Sequence, residues 1–455
     1  MDPTSVEMLT RWAGGDLVSG DPLGAVTTLC TDSRALKAGD IFVALRGEKF
    51  DGHAFVPKAA LSGALGVVVE EVPPGLPENL AVIVVDDTLR ALQQIAGHYR
   101  RTLDLKVVAI TGSSGKTSTK DLTAAVLGER FRVTRTAGNF NNHIGLPLTM
   151  LAAEGAHQAG VFEIGMNHPG EIAPLAELAA PDVAIITNIG IAHIEFMGSR
   201  EAIAQEKGML AEAIGADGHV ILCADDDFSE SIAARTKANV ILCGIENGEV
   251  RASNLRHDFS GTRFLLQARG VEVEVLLPVP GIHMVRNALL AVGAGLVFGL
   301  SLEECAAGLG KLELTKGRLE QKLIRGIQVL DDTYNANPDS MAAALRTLAQ
   351  MPTAGRRIAV LGRMAELGTE SDAGHTSAGV VAAEVGIDAL IGVGEEPGLI
   401  VEAAARGGIT MVFKAATIDE GVQTLCGLAR PGDVVLVKGS RSARMERIVE
   451  GLQAL

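Results

Sequence analysis

Val108-Ala109-Ile110-Thr111-Gly112-Ser113-Ser114-Gly115-Lys116-Thr117-Ser118-Thr119-Lys120 says more about this chain than any other stretch of it. A β-branched, apolar run stops at a Gly/Ser turn, and Lys-Thr then opens a helical pattern. The order is strand, phosphate-cradling loop, helix N-terminus. Glycines let consecutive N–H groups converge on an anion, and the helix end adds partial positive charge. Gly112, Ser113, Ser114, Gly115, Lys116, Thr117 and Ser118 are therefore the expected nucleotide cradle. In such loops the lysine reaches the β- and γ-phosphates, and the threonine hydroxyl ligates magnesium. The usual G-x-x-x-x-G-K-[ST] pattern would need glycine where Ile110 stands.

Around this loop lie 455 residues, room for about three domains at roughly 150 residues each. Hydrophobic residues make up 47% of the chain but aromatic ones only 3%, so the cores have to be layers of Ala, Val, Leu and Ile. The 53 glycines suit the close turns of alternating strand–helix folds. A net charge of −15 argues against nucleic-acid or anionic-membrane binding, which needs a positive face. An anionic substrate must then be met by locally concentrated cations. Cys30, Cys223, Cys243, Cys305 and Cys426 are scattered, without a C-x-x-C pair, as expected in a reducing compartment with neither disulfides nor zinc. Met1-Asp2-Pro3-Thr4-Ser5 carries no secretory pattern. The apolar stretch at 288–300 is too short and too glycine-broken to span a bilayer, and reads as a buried helix. A soluble, cytoplasmic protein is expected.

The strand and helix patterns divide the chain into three segments, and the fold class they predict is α/β. Residues 1–105 hold apolar strands near 40–45, 66–70 and 82–85 and a helical pattern over 88–99. Thr31-Asp32-Ser33-Arg34 and the loop 46–53 carry polar groups that could suit a phosphorylated ligand, although the residues by themselves favour ordinary turns. Residues 106–318 alternate strands and helices behind the phosphate loop, with buried runs at 160–163, 183–188 and 220–222. Such runs indicate a parallel sheet, whose ligands gather at the carboxyl ends of its strands. The stretches 263–266 and 271–277 read as an antiparallel pair. Residues 319–455 read as a doubly wound unit with strands at 328–332, 358–362, 389–393 and 434–438.

Several side chains fall where chemistry is expected. Glu163 ends a buried strand, as a magnesium ligand or as a helix-capping or salt-bridged carboxylate. His193 follows a strand inside a glycine-containing loop, and is either structural or functional. Lys207 sits in a helical stretch, where composition alone makes it a solvated surface lysine. His283 and Asn287, at i and i+4, share one helix face that could reach an adenine edge or merely cap. Arg318 lies at the junction of the second and third segments, where a guanidinium could neutralise a γ-phosphate. Asp332 ends a strand and suits a ribose or an incoming amine.

Together these stretches resemble the Mur ligases of peptidoglycan synthesis, over essentially the whole length. The resemblance is carried by Thr31-Asp32-Ser33-Arg34, the shortened phosphate loop and Gly138-Asn139-Phe140-Asn141-Asn142-His143-Ile144-Gly145-Leu146-Pro147. It continues through Glu163-Ile164-Gly165-Met166-Asn167, residues 188–193, Lys207 and residues 281–287. Gly317-Arg318 and Asp332-Thr333-Tyr334-Asn335-Ala336-Asn337-Pro338 extend it into the third segment. Met364-Ala365-Glu366-Leu367-Gly368 and Lys438-Gly439-Ser440-Arg441 are the most specific for the dipeptide-adding branch. The resemblance implies three domains: a smaller N-terminal α/β domain that holds UDP-linked substrate, a central P-loop ATPase built on a parallel sheet, and a C-terminal Rossmann-like domain for the dipeptide. It implies ATP-dependent joining of D-alanyl-D-alanine to UDP-N-acetylmuramoyl-tripeptide through an acyl phosphate, by a monomer.

The family pattern also assigns roles. Lys116 and Arg318 would hold phosphates, Thr117 and Glu163 one magnesium, and His193 a second. Lys207 matches the lysine that members carbamylate to support this second metal, so Lys116, His193, Lys207 and Arg318 form the implied catalytic set. Asn287 would contact adenine, and Asp332 the ribose. Ser33, Arg34, Asn139, Asn141, Asn142, Asn335, Asn337, Lys438, Ser440 and Arg441 are the implied substrate contacts. The chain departs from the pattern at Ile282-His283-Met284, where Arg-His-Asn is common, and at Arg363, where Asp is common. Other readings fit less well. The diamino-acid-adding ligase carries an Asp-Asn-Pro-Arg loop that is missing here, and folylpolyglutamate synthetase has its phosphate loop much nearer the N-terminus. A nucleotide switch would need no amine-binding third domain.

Overall fold

The structure, a computed structural model, describes residues 1–47 and 50–454. The chain divides into two compact units, one of residues 1–109, 131–165 and 171–182, the other of residues 110–130, 166–170 and 183–455. The middle segment read from the sequence thus contributes to both units.

In the first unit, a five-stranded sheet runs in the order Asp16–Ser19, Ala81–Val84, Gly66–Val69, Ile41–Val43, Leu29–Cys30. Only the Asp16–Ser19 edge is antiparallel; the rest pair in parallel. Phe42, Val56, Val67, Val69 and Val82 pack into one core, whose aliphatic character reflects the shortage of aromatic residues. The expected helix is present as Thr88–Thr102, started by Asp87, whose carboxylate accepts from the Arg90 N–H. Glu48 and Lys49 of the polar loop lie outside the described residues. This unit also holds a short antiparallel pair, Thr4–Ser5 with Ala25–Val26, and the strands Ala159–Glu163 and Val133–Arg135, which pair in parallel beside the strand Lys106–Thr111, of which residues 106–109 belong here.

The second unit holds two sheets. One runs Val183–Ile186, His219–Cys223, Asn239–Ile245, Val250–Asp258, Gly261–Ala268, Val271–Leu277. Its first four strands are parallel, and the last three form antiparallel hairpins. The antiparallel pair expected at 263–266 and 271–277 is there. The strand Val250–Asp258 is an addition: it is polar, mostly half-buried or buried and broken by a register shift between Ser253 and Arg256, so its pattern is weak in sequence. The buried apolar stretch is the helix Ile282–Val297.

The other sheet runs Glu320–Ile324, Ile327–Asp332, Val434–Lys438, Arg357–Leu361, Ala389–Val393, Met411–Ala415. It is parallel apart from its first strand. This is the doubly wound unit expected of 319–455, extended by a strand at each edge. Those two strands, half-exposed, lack the continuous apolar run that marked the central four. Register brings three strand ends level, because Asp332 pairs with Lys438 and Lys438 with Leu361.

The phosphate loop has the predicted build, with the strand Lys106–Thr111 leading into the helix Lys116–Leu127. Gly112 adopts φ +146°, and a Cβ placed there would lie 1.8 Å from Thr187 Oγ1 and 3.0 Å from the Thr187 nitrogen and Cβ. Gly112→Ala is therefore expected to cost at least about 2 kcal/mol, as a depressed melting temperature. Adding Thr187→Ala should restore only part of it, because the backbone and Cβ of residue 187 remain too close.

Candidate functional site

The cradle is stapled to the end of the neighbouring strand. The Ser113 N–H donates to the Asn188 carbonyl at 2.9 Å, and the Ser114 N–H to Asn188 Oδ1 at 3.0 Å. Asn188 Nδ2 and Thr187 Oγ1 both donate to the Ser114 carbonyl, at 3.2 and 2.6 Å. These four bonds fix the loop to the strand end through its own backbone. Lys116 curls back so that Nζ donates to the Gly112 carbonyl at 2.7 Å. Gly115, at φ +82°, precedes the helix, and a Cβ on it would lie 2.7 Å from Asn287 Oδ1. Asn287 thus rests against the loop, and its amide faces the Met284 sulfur at 3.9 Å.

A cavity of about 600 Å³ opens beside the loop, entirely within the second unit. Of the residues expected to bind nucleotide, Ser114, Gly115, Ser118, Asn287, Arg318 and Asp332 all line it, as does Lys438. Arg318 Nη2 donates to Thr117 Oγ1 at 3.2 Å, so the junction arginine does reach the phosphate loop. Asn337 Nδ2 donates to Ser114 Oγ at 3.0 Å, and the Ile191 N–H donates to Asp339 Oδ2 at 2.9 Å. The first turn of the helix Pro338–Gln350 is in this way bonded to the loops after two strands of the middle segment.

Lys438 and Asp332, expected as separate contacts, form one ion pair at 2.6 Å, and Lys438 Nζ also donates to the Asn335 carbonyl at 2.9 Å. With the lysine side chain only 2% exposed, burial lowers its pKa and Asp332 opposes that shift. The His283 ring is pushed down to about 4 by burial, against the pull of Asp332, so it is neutral at pH 7. Its Nδ1 is closed to solvent and has no hydrogen-bond partner among the described residues.

Lys207 corrects the sequence reading: it is fully buried, on the helix Arg200–Glu212, not a solvated surface residue. Charge count along a helix does not reveal which face is covered, and here the face bearing Ile203, Ala204 and Lys207 turns inward. Its Nζ has no hydrogen-bond partner among the described residues. Burial, reinforced by the charge of Lys116 and opposed by Glu206, holds its pKa well below 10.5. His193 takes φ +62°, and its Nδ1 lies 2.8 Å from Glu366 Oε2, within ion-pair distance though outside hydrogen-bond alignment. His193 holds the Glu366 carboxyl below its ordinary range.

In the first unit, Glu163 is buried and accepts from Asn141 Nδ2 at 2.8 Å. Asn142 Oδ1 accepts the N–H groups of Ile144 and Gly145 ahead of the helix Gly145–Leu151, while Asn139 is exposed. Arg34 pairs with Asp32 at 2.8 Å on the surface beside Ser33, and Asp32 is drawn down to about 2 by that guanidinium. In the third segment Ser440 Oγ donates to the Arg363 carbonyl at 2.9 Å, and Arg441 and Asn335 are exposed. The sequence reading missed Asp225, Arg286 and Asp339, which also line the cavity. Asp225 stands two residues past the strand His219–Cys223 and pairs with Arg286 at 2.8 Å, so the strand-end rule applied to Glu163 would have found it.

Comparison with known proteins matches three segments of this chain to Mur ligase domains. Residues 25–100 match the Mur ligase family catalytic domain, residues 110–295 the Mur ligase middle domain, and residues 317–441 the Mur ligase glutamate ligase domain. UDP-N-acetylmuramoyl-tripeptide–D-alanyl-D-alanine ligase of Bacillus subtilis is 39% identical over 93% of this chain and 92% of its own length. The Escherichia coli protein of the same name is 38% identical over 96% and 97%. Among solved structures, MurF from Acinetobacter baumannii superimposes with a TM-score of 0.92 at 34% identity, covering all of both chains. MurF ligase from Thermotoga maritima in complex with ADP gives 0.84 at 27% identity, over 94% of this chain and 97% of that one.

The burial of Lys207 carries a measurable cost. An unfolded lysine stays protonated up to about pH 10.5, whereas the buried amine releases its proton at lower pH. Native stability from this residue therefore rises with pH across that window. In bicarbonate-free buffer Lys207→Met should raise the melting temperature at pH 7, by an increment that shrinks toward pH 10.5. A pH-independent increment would contradict the assignment.

Proposed function

The chain belongs to the Mur ligase family, and we infer that it joins D-alanyl-D-alanine to UDP-N-acetylmuramoyl-tripeptide by ATP-dependent amide synthesis. The reaction makes a peptidoglycan precursor, in the cytoplasm where ATP and the nucleotide-linked substrate are found. No helix among the described residues is long and apolar enough to cross a membrane.

The observation that carries this reading is a single cavity bordered by the stapled phosphate loop, the junction arginine and the Asp332–Lys438 pair. A triphosphate seated there meets inward N–H groups at a helix N-terminus, with Lys116 beside them. Arg318 adds a cation from the third segment's side of the loop. The peptide carboxylate attacks the γ-phosphorus, ADP leaves, and an acyl phosphate results. The dipeptide amine then attacks the acyl carbon, and inorganic phosphate departs. Two anions must approach one another in the first step, so fixed cations and oriented donors contribute most of the acceleration. Asn287 and Asp332 are the proposed adenine and ribose contacts. Ser33 and Arg34, with Asn139, Asn141 and Asn142, are proposed for the UDP-linked substrate. Asn335, Asn337, Lys438, Ser440 and Arg441 are proposed on the dipeptide side.

Magnesium fits this chemistry, but the unmodified donors do not make a metal centre: among the described residues no three His, Cys, Asp or Glu side chains converge. The buried amine of Lys207, without a hydrogen-bond partner among the described residues, is the proposed source of the missing donor. Its depressed pKa favours the neutral form that adds carbon dioxide, and the carbamate would be an anionic oxygen donor. Thr117, His193 and carbamylated Lys207 in the second unit, and Glu163 in the first, are the proposed donors. When bound, magnesium would offset charge on the β- and γ-phosphates.

ADP formation should depend on both the UDP-tripeptide and D-alanyl-D-alanine, with meso-diaminopimelate or glutamate failing to replace the dipeptide. Lys116→Ala should lower this turnover by about 10³-fold while leaving the melting temperature near that of the parent. Equal rates with all three acceptors, or an undiminished Lys116→Ala enzyme, would overturn the reading.

A further inference from the structure

A guanidinium at the end of a long flexible side chain serves a transferring phosphoryl group only if something restrains it. The restraint on Arg318 is built from the strand-end turn just past Asp332. The Tyr334 N–H donates to the Gly317 carbonyl at 3.0 Å, and the Leu319 N–H donates to Asp332 Oδ1 at 3.2 Å. Residues 317–319 and 332–334 are thereby laced together on either side of Arg318. Gly317 at φ +71° and Leu319 at φ +51° give the chain the bend that this lacing needs. A Cβ at Gly317 would come within 3.1 Å of both the Tyr334 nitrogen and Thr333 Oγ1, so the approach is close.

On that frame the Arg318 Cζ lies 4.2 Å from the centre of the Tyr334 ring, well inside cation–π range. The outer end of the same guanidinium donates to Thr117 Oγ1. Its Nε is shut off from solvent and has no hydrogen-bond partner among the described residues. No carboxylate lies within ion-pair distance of Arg318 among the described residues. A ring face therefore takes the place of a counter-ion. The distinction has a chemical consequence: a carboxylate would compete with phosphate for the cation, whereas an aromatic face orients the guanidinium and leaves its N–H groups and full charge available.

We propose that Tyr334 is a positioning residue, whose ring is the platform that aims Arg318 at the terminal phosphoryl group of the nucleotide. This rests on the assignment of the cavity to nucleotide and adds the residue through which the third segment sets the geometry of phosphoryl transfer. The property used is the ring's π-face. Tyr334→Phe should behave as the parent, and Tyr334→Leu, which keeps an apolar side chain but has no π-face, should not.

The test is nucleotide binding by calorimetry, with a non-hydrolysable ATP analogue compared with ADP, alongside kcat and KM for ATP. Tyr334→Leu should weaken the ATP analogue by roughly 5- to 30-fold and leave ADP within about twofold, while Tyr334→Phe leaves both unchanged. In an Arg318→Ala background Tyr334→Leu should add nothing further. Should the leucine variant fold poorly, stepwise fluorination of phenylalanine at position 334 keeps shape and drains the ring face; affinity for the ATP analogue should fall with each fluorine. Equal losses for ADP and the ATP analogue, additive losses with Arg318→Ala, or affinity indifferent to fluorination would each overturn the proposal. If instead the parent and Arg318→Ala bind both nucleotides alike, the assignment of Arg318 to the terminal phosphate is itself wrong, and the platform falls with it.

Discussion

A triphosphate and a carboxylate must be brought together by a chain that is itself strongly acidic, with a net charge of −15. Long-range electrostatics therefore works against binding, and everything rests on local, fixed positive potential. The phosphate loop meets that constraint with backbone: N–H groups, a helix N-terminus and glycines at φ angles that side chains rarely adopt. Its shape is held from the next strand, where Thr187 and Asn188 bond the carbonyl and N–H of Ser114. Preorganised dipoles of this kind need not reorient as charge shifts along the reaction.

The cations around the loop are handled in three different ways. Lys438 is buried but paired with Asp332, so its charge is compensated and its place is fixed by strand register. Lys207 is buried with no hydrogen-bond partner among the described residues, and burial holds its pKa well below the ordinary lysine value. Arg318 cannot release a proton, and it lies over an aromatic ring instead. Pairing, a lowered pKa and an aromatic face are three distinct physical answers to placing a cation where water is scarce.

Much of this is legible in the residues alone. The loop, its flanking strand and helix, the central strands of the third segment and the antiparallel pair at 263–266 and 271–277 all emerge from apolar period and glycine placement. Asp332 and Asn287 stand out because strand ends and helix faces have simple rules. The polar strand Val250–Asp258 and the two edge strands of the last sheet do not, because a strand with one wet side and a register shift loses its alternation. Lys207 is misplaced for a related reason: helix burial depends on what packs against it, and no local pattern records that.

Sequence alone therefore determined the chemistry on offer: an anion cradle, a junction arginine, strand-end carboxylates and a family resemblance precise enough to name substrates. Local order and residue type are enough for that, since a phosphate loop is made by consecutive residues. Tertiary structure decided which distant groups act as units. Asp332 and Lys438 are 2.6 Å apart only because two parallel strands end level, and Tyr334 lies over Arg318 only because residues 317–319 and 332–334 are laced together. Desolvation and register are properties of packing, and they turn a list of polar residues into a site.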